Sequence, residues 1–342
     1  MLNKFNSKPK ALITGITGMV GSHLADLLLE KDFKVYGVYR WDEKLDNISH
    51  LVPKINRKQN ISLEYGDIND FTSILTIIKN IKPDFIFHLA AQSFPLTSFH
   101  YPQQTLQTNI IGTANILESI RISKLNPIIH ICSSSEIFGR VKKKDLPISE
   151  NNNFHPASPY AISKVGTDLL SRFYFEAYNM KTLTTRMFTH TGPRRSDIFA
   201  ESTFAKQIAM IEYGYQKPEI FVGNLNSLRT IADVRDACLA YYLLVTKNPQ
   251  YGESYNIGGN HICKVGDVLN KLLSLSNKKN IKIKIDKKRL RPIDADLQVP
   301  DTSKFKKHTG WKPKFTFDQT MEDLLEYWRS LVKQNKNIYL QR

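Results

Sequence analysis

The sequence is poor in cysteine. Its 342 residues include three cysteines, Cys132, Cys238 and Cys263. They are too few and too scattered for a disulfide framework or a zinc cluster, so we expect no metal site and a reducing, cytoplasmic location. The sequence also lacks any run of about 18 apolar residues, and its first ten residues contain no apolar segment. It therefore predicts neither a transmembrane helix nor a signal peptide.

Acidic residues are scarce relative to basic ones. The chain has 32 Asp and Glu against 48 Lys and Arg, a formal net charge of +16. Such an excess is compatible with a nucleic-acid partner. The dense basic runs, however, lie at 142–144 and 278–291, and no aromatic residues interleave with them as a stacking surface requires. We therefore expect no nucleic-acid partner and no membrane contact, whereas a small phosphate-bearing molecule needs only a few of these cations.

Short apolar runs alternate with helical patterns over the first 188 residues. Strands are predicted at 10–14, 33–39, 61–65, 84–88, 126–132 and 183–188, and helices at 22–31, 71–81, 102–121 and 159–178. This alternation is typical of an α/β protein with a doubly wound parallel sheet of Rossmann type. Beyond about residue 190, helices are predicted at 204–213, 232–246, 265–275 and 317–331. They indicate a smaller mixed α/β domain that binds the substrate.

Three glycines, Gly15, Gly18 and Gly21, separate the first predicted strand from the first helix. Glycine at these positions permits a tight turn, close approach of the backbone to a pyrophosphate, and tight packing of helix on strand. The turn therefore predicts a dinucleotide site. Its GxxGxxG spacing resembles the extended branch of the short-chain dehydrogenase/reductase superfamily, which implies further cofactor contacts from Thr17, Met19 and Val20.

The end of the second strand bears on which dinucleotide is bound. Arg40 stands where an acid commonly binds the ribose hydroxyls of NAD, and a cation there favours the 2′-phosphate of NADP. NAD remains the alternative, with Asp42 as the acid. The resemblance implies further cofactor contacts from Asp67 and Ile68 after the third strand. The small residues after the fourth strand, Leu89, Ala90 and Ala91, stand where a cofactor would pass.

A YxxxK motif, Tyr160 to Lys164, places a phenol and an ammonium on one face of a predicted helix. The ammonium lowers the pKa of the phenol, so Tyr160 can act as a general base towards a hydroxyl while Lys164 holds the cofactor ribose. The motif follows a serine-rich segment, SSSE (133–136), at the end of the fifth strand. This order again resembles the extended superfamily.

Two segments narrow the resemblance. SSSEIFG (133–139) and FHPASPYAISK (154–164) resemble the GDP-mannose 4,6-dehydratase family. The resemblance implies that Ser134, where Thr is usual, supplies the catalytic hydroxyl and that Glu136 is a second base. Substrate contacts would come from Ser93, Ser135, Thr189, Arg195, Lys206, Arg229 and Arg291. Thr189 departs from the family's usual Asn, which bears on the identity of the sugar.

The resemblance runs from about residue 10 to 334. It implies a Rossmann domain at 8–188 with a return segment near 230–257, and a nucleotide-sugar domain at 189–229 and 258–336. The expected reaction converts GDP-mannose, or a GDP-manno-heptose, to the 4-keto-6-deoxy sugar by internal hydride transfer through NADP. Alternatives are a GDP-4-keto-6-deoxy-sugar reductase or a 4-epimerase and, more remotely, a non-catalytic dinucleotide- or RNA-binding protein. A homodimer or homotetramer is implied.

Overall fold

The structure is a computed structural model that describes residues 7–334. In chain order its strands are β1 (Lys10–Thr14), β2 (Lys34–Tyr39), β3 (Ile61–Tyr65), β4 (Phe85–His88), β5 (Ile128–Cys132), β6 (Thr182–Met187), β7 (His190–Thr191), β8 (Glu219–Val222), β9 (Leu228–Asp233), β10 (Ser254–Ile257), β11 (His261–Lys264), β12 (Lys282–Ile285) and β13 (Leu297–Gln298). Its helices are α1 (Met19–Glu30), α2 (Val52–Asn56), α3 (Phe71–Ile81), α4 (Pro95–His100), α5 (Pro102–Leu106), α6 (Gly112–Ile122), α7 (Pro159–Tyr178), α8 (Ala200–Glu212), α9 (Val234–Thr246), α10 (Val265–Ser274), α11 (Ser303–Thr309) and α12 (Phe317–Gln334).

Seven strands form one parallel sheet in the order β3-β2-β1-β4-β5-β6-β10. Apolar side chains of the central strands are buried on both faces, where α1 and α9 cover one side and α3 and α6 the other. The doubly wound Rossmann-type fold is therefore confirmed. Ligands of such sheets bind at the carboxyl ends of the strands, in the crevice where the strand order reverses.

The second part of the chain contains smaller sheets. Strands β7, β9, β11 and β13 form one of them and β8 and β12 another. Helices α8, α10 and α12 pack together over a separate apolar core. Strand β10 returns to the edge of the large sheet beside β6. The domain bounds given above stay a prediction, and their last two residues, 335 and 336, lie outside the described residues. None of the helices between residues 7 and 334 is long and apolar enough to cross a membrane.

Several elements begin or end away from their predicted bounds. Helix α8 begins at Ala200 rather than 204, because its first turn is polar and breaks the apolar period that a sequence pattern detects. The helix predicted at 102–121 consists of α5 and α6 joined by a π-helical turn at Gln107–Ile111. Short helices such as α2, α4 and α11 were not predicted, since one or two turns carry no readable period.

A buried ion pair fixes α7 against the sheet. The Arg186 guanidinium on β6 donates to both carboxylate oxygens of Asp168 on α7, each at 2.9 Å, and to the carbonyl of Glu150 at 2.8 Å. Its guanidinium also lies 4.9 Å from the centre of the Phe154 ring. Because removing one partner would leave a buried charge uncompensated, at a cost of about 3–5 kcal/mol, this pair holds the helix in one position.

Candidate active site

A cleft of about 2440 Å³ opens at the carboxyl edge of the large sheet and extends under α8 and the loop after β6. Apart from Asp42, every residue assigned above to cofactor, substrate or catalysis lines this cleft. The sequence placed them on many separate segments, and the fold brings them to one surface. Their individual roles stay predictions.

Two glycine positions of the turn between β1 and α1 have no room for a side chain. Gly15 has a φ of +75°, and a Cβ on it would lie 3.0 Å from the Cα and N of Ala90. A Cβ on Gly21 would lie 2.2 Å from the carbonyl oxygen of Gly15. Gly18 precedes α1 and provides no side-chain cap, so the first amides of the helix are open to the cleft. This shape and these free donors fit a dinucleotide pyrophosphate.

A buried hydrogen-bond network shapes the wall opposite these glycines. The Thr14 hydroxyl accepts from the amides of Leu89 (3.1 Å) and Ala90 (3.2 Å), so its own proton goes to Nδ1 of His88 at 2.9 Å. The His88 ring is therefore neutral with its proton on Nε2, which donates to Thr113 at 3.0 Å. Burial lowers the pKa of His88 to about 3, in keeping with this neutral form.

The network continues to the helix that carries YxxxK. Asn109, in the π-helical turn, exchanges two hydrogen bonds with the backbone of Gln92 and donates to the Ser163 hydroxyl at 2.8 Å. Its carbonyl accepts from Thr113 and Thr167. Sequence reasoning missed Asn109, because nothing in a helical pattern distinguishes a π turn. The cofactor wall and α7 are thus joined by buried polar contacts.

At the other end of the cleft, Arg40 meets an acid that the sequence did not single out. Its Nε lies 3.1 Å from Glu43, whose second oxygen accepts from Thr17 at 2.7 Å. Asp42, considered above as the ribose acid, lies 3.9 Å from Arg40 and does not line the cleft. The acid that contacts Arg40 and lines the cleft is therefore Glu43.

The reacting groups lie between β5 and α7. Lys164 is buried, and its Nζ donates to the Cys132 carbonyl at 2.7 Å. Burial lowers the pKa of Lys164. Burial raises the pKa of the Tyr160 phenol, and a hydrogen bond with Ser134 lowers it. Tyr160 is thus protonated in the free protein and needs nearby positive charge to act as a base.

Glu136 follows Ser134 in a short 3-10 helix, with its amide donating to the Ser134 hydroxyl at 3.2 Å. Its carboxylate lies 3.5 Å from Arg291, which also approaches Asp294 at 3.4 Å. Asp294 in turn lies 3.5 Å from Arg229. One predicted substrate cation, Arg291, therefore contacts the second predicted base, and another, Arg229, shares Asp294 with it.

The remaining cations differ in their partners. Lys206 is paired with Asp197 at 2.8 Å. Arg195 lies flat on the Phe199 ring, 3.6 Å from its centre, and its Nε has no hydrogen-bond partner within the described range. Burial lowers the pKa of Arg195, and the charge of Glu201 opposes this shift. Arg195 is therefore available to a bound anion.

Comparison with known proteins assigns the chain to a family. The family model described as GDP-mannose 4,6 dehydratase matches residues 12–324. The chain belongs to the GDP-mannose 4,6-dehydratase family. The GDP-mannose 4,6 dehydratase of Drosophila melanogaster is 32% identical over 95% of this chain and 87% of its own length. The human enzyme of that name is 30% identical over 96% of this chain and 94% of its own.

Solved structures agree on the fold. RMD from Pseudomonas aeruginosa, complexed with NADPH, is 25% identical with a TM-score of 0.79 and covers 95% of this chain and 100% of its own. The dTDP-glucose 4,6-dehydratase of Bacillus anthracis, in complex with NAD, is 22% identical with a TM-score of 0.82 and covers 96% and 99%. Both solved structures share the fold of this chain.

Thr14 provides a test of the cofactor wall. Thr14→Val keeps the shape of the side chain but leaves the Leu89 and Ala90 amides and the His88 ring without their partner. We expect a loss of about 1–3 kcal/mol in unfolding free energy and about tenfold weaker NADPH binding, measured by denaturant unfolding and fluorescence titration.

Thr185→Val is the matched control. Thr185 is equally buried and bonds the neutral ring of His130 at 2.8 Å, but it does not line the cleft. We expect a comparable stability loss with NADPH affinity unchanged. Equal NADPH affinities in the two variants would show that Thr14 has no role in shaping the cofactor wall.

Proposed function

We propose that this member of the family is a GDP-sugar 4,6-dehydratase that acts on GDP-mannose or a GDP-manno-heptose with NADP as cofactor. The observation that carries the proposal is Glu136, a second acid–base group beside Ser134 and Tyr160. Oxidation or epimerisation at carbon 4 requires a hydroxyl, a phenol and a lysine. Removal of water across carbons 5 and 6 requires a further base, which Glu136 supplies.

Each group then has one task at carbon 4. Ser134 orients the 4-hydroxyl and Tyr160 removes its proton, with the Lys164 ammonium lowering the pKa of the phenol. When bound, the dinucleotide takes up and returns a hydride and adds positive charge beside the phenol. The glycine turn and Ala90 beside it would hold the dinucleotide, because the turn carries no side chain at Gly15 or Gly21 that would keep the pyrophosphate away from the backbone.

Glu136 acts at carbons 5 and 6. The 4-keto group acidifies the proton on carbon 5, which Glu136 removes as the carbon 6 hydroxyl leaves with that proton as water. With the dinucleotide bound, the hydride taken from carbon 4 would go to carbon 6, and the proton that Tyr160 took from the 4-hydroxyl would return to carbon 5. Atoms and electrons balance with loss of one water and no net oxidation.

The substrate's diphosphate would meet the cations of the cleft. Arg195 supports this assignment most directly, because its Nε is buried and has no hydrogen-bond partner within the described residues. Arg229 and Arg291 already share Asp294, so a phosphate there would complete an existing charge cluster. Thr189, in place of the family's Asn, also lines the cleft and is the residue that bears on mannose against heptose.

Glu136→Gln tests the proposal. The wild type should remove one water from GDP-mannose without consuming NADPH, which is measured as a change in the mass of the substrate. The variant should lose at least about a hundredfold in kcat, since general acid–base groups contribute factors of about 10² to 10⁴, and should bind NADPH as before.

Glu150→Gln is the control, since that carboxylate accepts from the Asn256 amide at 2.8 Å outside the cleft. It should retain activity.

Unchanged GDP-sugar mass together with NADPH-dependent reduction of a 4-keto sugar would instead identify a reductase. Full activity in Glu136→Gln would show that the carboxylate has no part in the chemistry.

The choice of NADP rests on Arg40, whose charge Glu43 balances in the free protein. A 2′-phosphate would compete with Glu43 for the guanidinium, whereas the ribose hydroxyl of NAD would donate to Glu43 instead. NADP is favoured because both partners of a guanidinium–phosphate contact are charged and the contact can be bidentate.

Arg40→Ala should therefore weaken NADPH binding about tenfold and leave NADH binding nearly unchanged, measured by fluorescence titration. Arg57→Ala, an exposed cation outside the cleft, should change neither affinity. If Arg40→Ala weakens both dinucleotides equally, Arg40 does not read the 2′-phosphate.

We further propose that the protein is a cytoplasmic homo-oligomer. Its three thiols are free, which suits a reducing compartment. Helix α7 exposes Ile162, Leu169 and Phe173 along one face, beside Ile111 and Ile122 of the neighbouring helical segment. A second copy of the chain would bury this apolar face.

Phe173→Glu should convert the oligomer to monomers in analytical ultracentrifugation, because it places a charge in the apolar contact. Ile285→Glu, which alters another exposed apolar side chain on β12, should leave the mass of the assembly unchanged. A wild-type chain that sediments as a monomer at micromolar concentration would contradict the proposal.

A further inference from the structure

Glu201 is a buried carboxylate that the mechanism above does not use. It lies in the first turn of α8, is 7% exposed, and lines the cleft. No hydrogen-bond donor or cation within the described residues contacts its oxygens. Burying a charge without a partner is costly, so such a group is retained where a ligand completes it.

The next two residues along α8, Ser202 and Thr203, both form side-chain hydrogen bonds. The Ser202 hydroxyl donates to the Arg195 carbonyl at 2.6 Å and accepts from the Trp328 indole at 2.7 Å. Thr203 donates to the Asp197 carbonyl at 2.5 Å. Both side chains tie the loop after β6 to α8. Glu201 is therefore held in place by its neighbours while its own carboxylate faces the cleft.

Arg195 is on the loop that these contacts fix. The charge of Glu201 raises the pKa of Arg195, so the two groups interact electrostatically, yet they form no ion pair within 4.0 Å. Stacking on Phe199 holds the guanidinium, and α8 holds the carboxylate. The structure thus keeps opposite charges apart in one cleft instead of letting them neutralise each other.

We propose that Glu201 accepts hydrogen bonds from a vicinal pair of substrate hydroxyls next to the phosphate that Arg195 binds. This inference rests on the proposed function. A ligand with an anion beside two donors would satisfy both groups at once, and a nucleoside diphosphate sugar offers this arrangement at the ribose 2′,3′-diol and at the sugar's 2,3-diol. Hydrogen bonds to a carboxylate are stronger than those to a neutral acceptor, and a ligand without the diol would leave Glu201 without donors. Glu201 therefore favours glycosyl nucleotides that carry the diol.

The test compares Glu201→Gln with Glu212→Gln. Glu212 is on the same helix and its side chain is 3% exposed, but it is paired with Arg329 at 2.7 Å and lies outside the cleft. Both substitutions remove one negative charge from α8. Titration calorimetry with GDP-mannose, GDP and 2′-deoxy-GDP gives affinities, and thermal unfolding reports stability.

The two variants should behave in opposite ways. Glu201→Gln should leave Tm unchanged or higher, because an uncompensated buried charge is gone, and weaken GDP-mannose binding about tenfold. Glu212→Gln should lower Tm and leave every affinity unchanged. Loss confined to GDP-mannose would assign the sugar diol, and loss for GDP-mannose and GDP but not 2′-deoxy-GDP would assign the ribose diol.

Two results would overturn the inference. Unchanged affinity for all three ligands in Glu201→Gln would show that the carboxylate touches no substrate. Equal weakening for GDP and 2′-deoxy-GDP would show that it acts on the base or the phosphates and not on a diol. A wild-type chain that does not bind GDP-mannose at all would overturn the proposed function itself, which separates the two failures.

Discussion

The hydrogen bond from the buried Lys164 ammonium to the Cys132 carbonyl joins the helix of the YxxxK motif to the end of β5. Ser134 and Glu136 follow Cys132 directly along the chain, so one contact sets the position of the phenol relative to both. The Arg186–Asp168 pair fixes the same helix farther along. The geometry of the reacting groups therefore depends on buried polar contacts between one strand and one helix, where apolar packing alone would permit sliding.

The cofactor and substrate halves of the cleft are built by different means. On the cofactor side, glycines and a closed network around Thr14 and His88 leave a shaped space in which the first amides of α1 are open to a ligand. On the substrate side, Nε of Arg195 has no hydrogen-bond partner in the described part of the chain, and Glu201 lines the cleft. Both halves therefore keep polar groups that a ligand would complete.

Sequence reasoning found the elements whose signal is local. Helix α7 has the predicted bounds, because Ser158 caps it, Pro159 begins it and Asn179 ends it in the left-handed conformation. Glu43 and Glu201 were not found, since their significance depends on which partners they have in three dimensions. Lys206 shows the same limit, because only the fold reveals that Asp197 neutralises it. The net charge of +16 identified nothing by itself, as most of these cations lie away from the cleft.

The central claim is that one cleft oxidises carbon 4 and reduces carbon 6 of the same sugar. GDP-mannose carrying deuterium at carbon 4 tests it most directly, with the product examined by NMR and mass spectrometry. The account predicts that the deuterium appears at carbon 6 of a product lighter by one water, without exchange into added NADP. Deuterium retained at carbon 4, or released into the free cofactor, would contradict it.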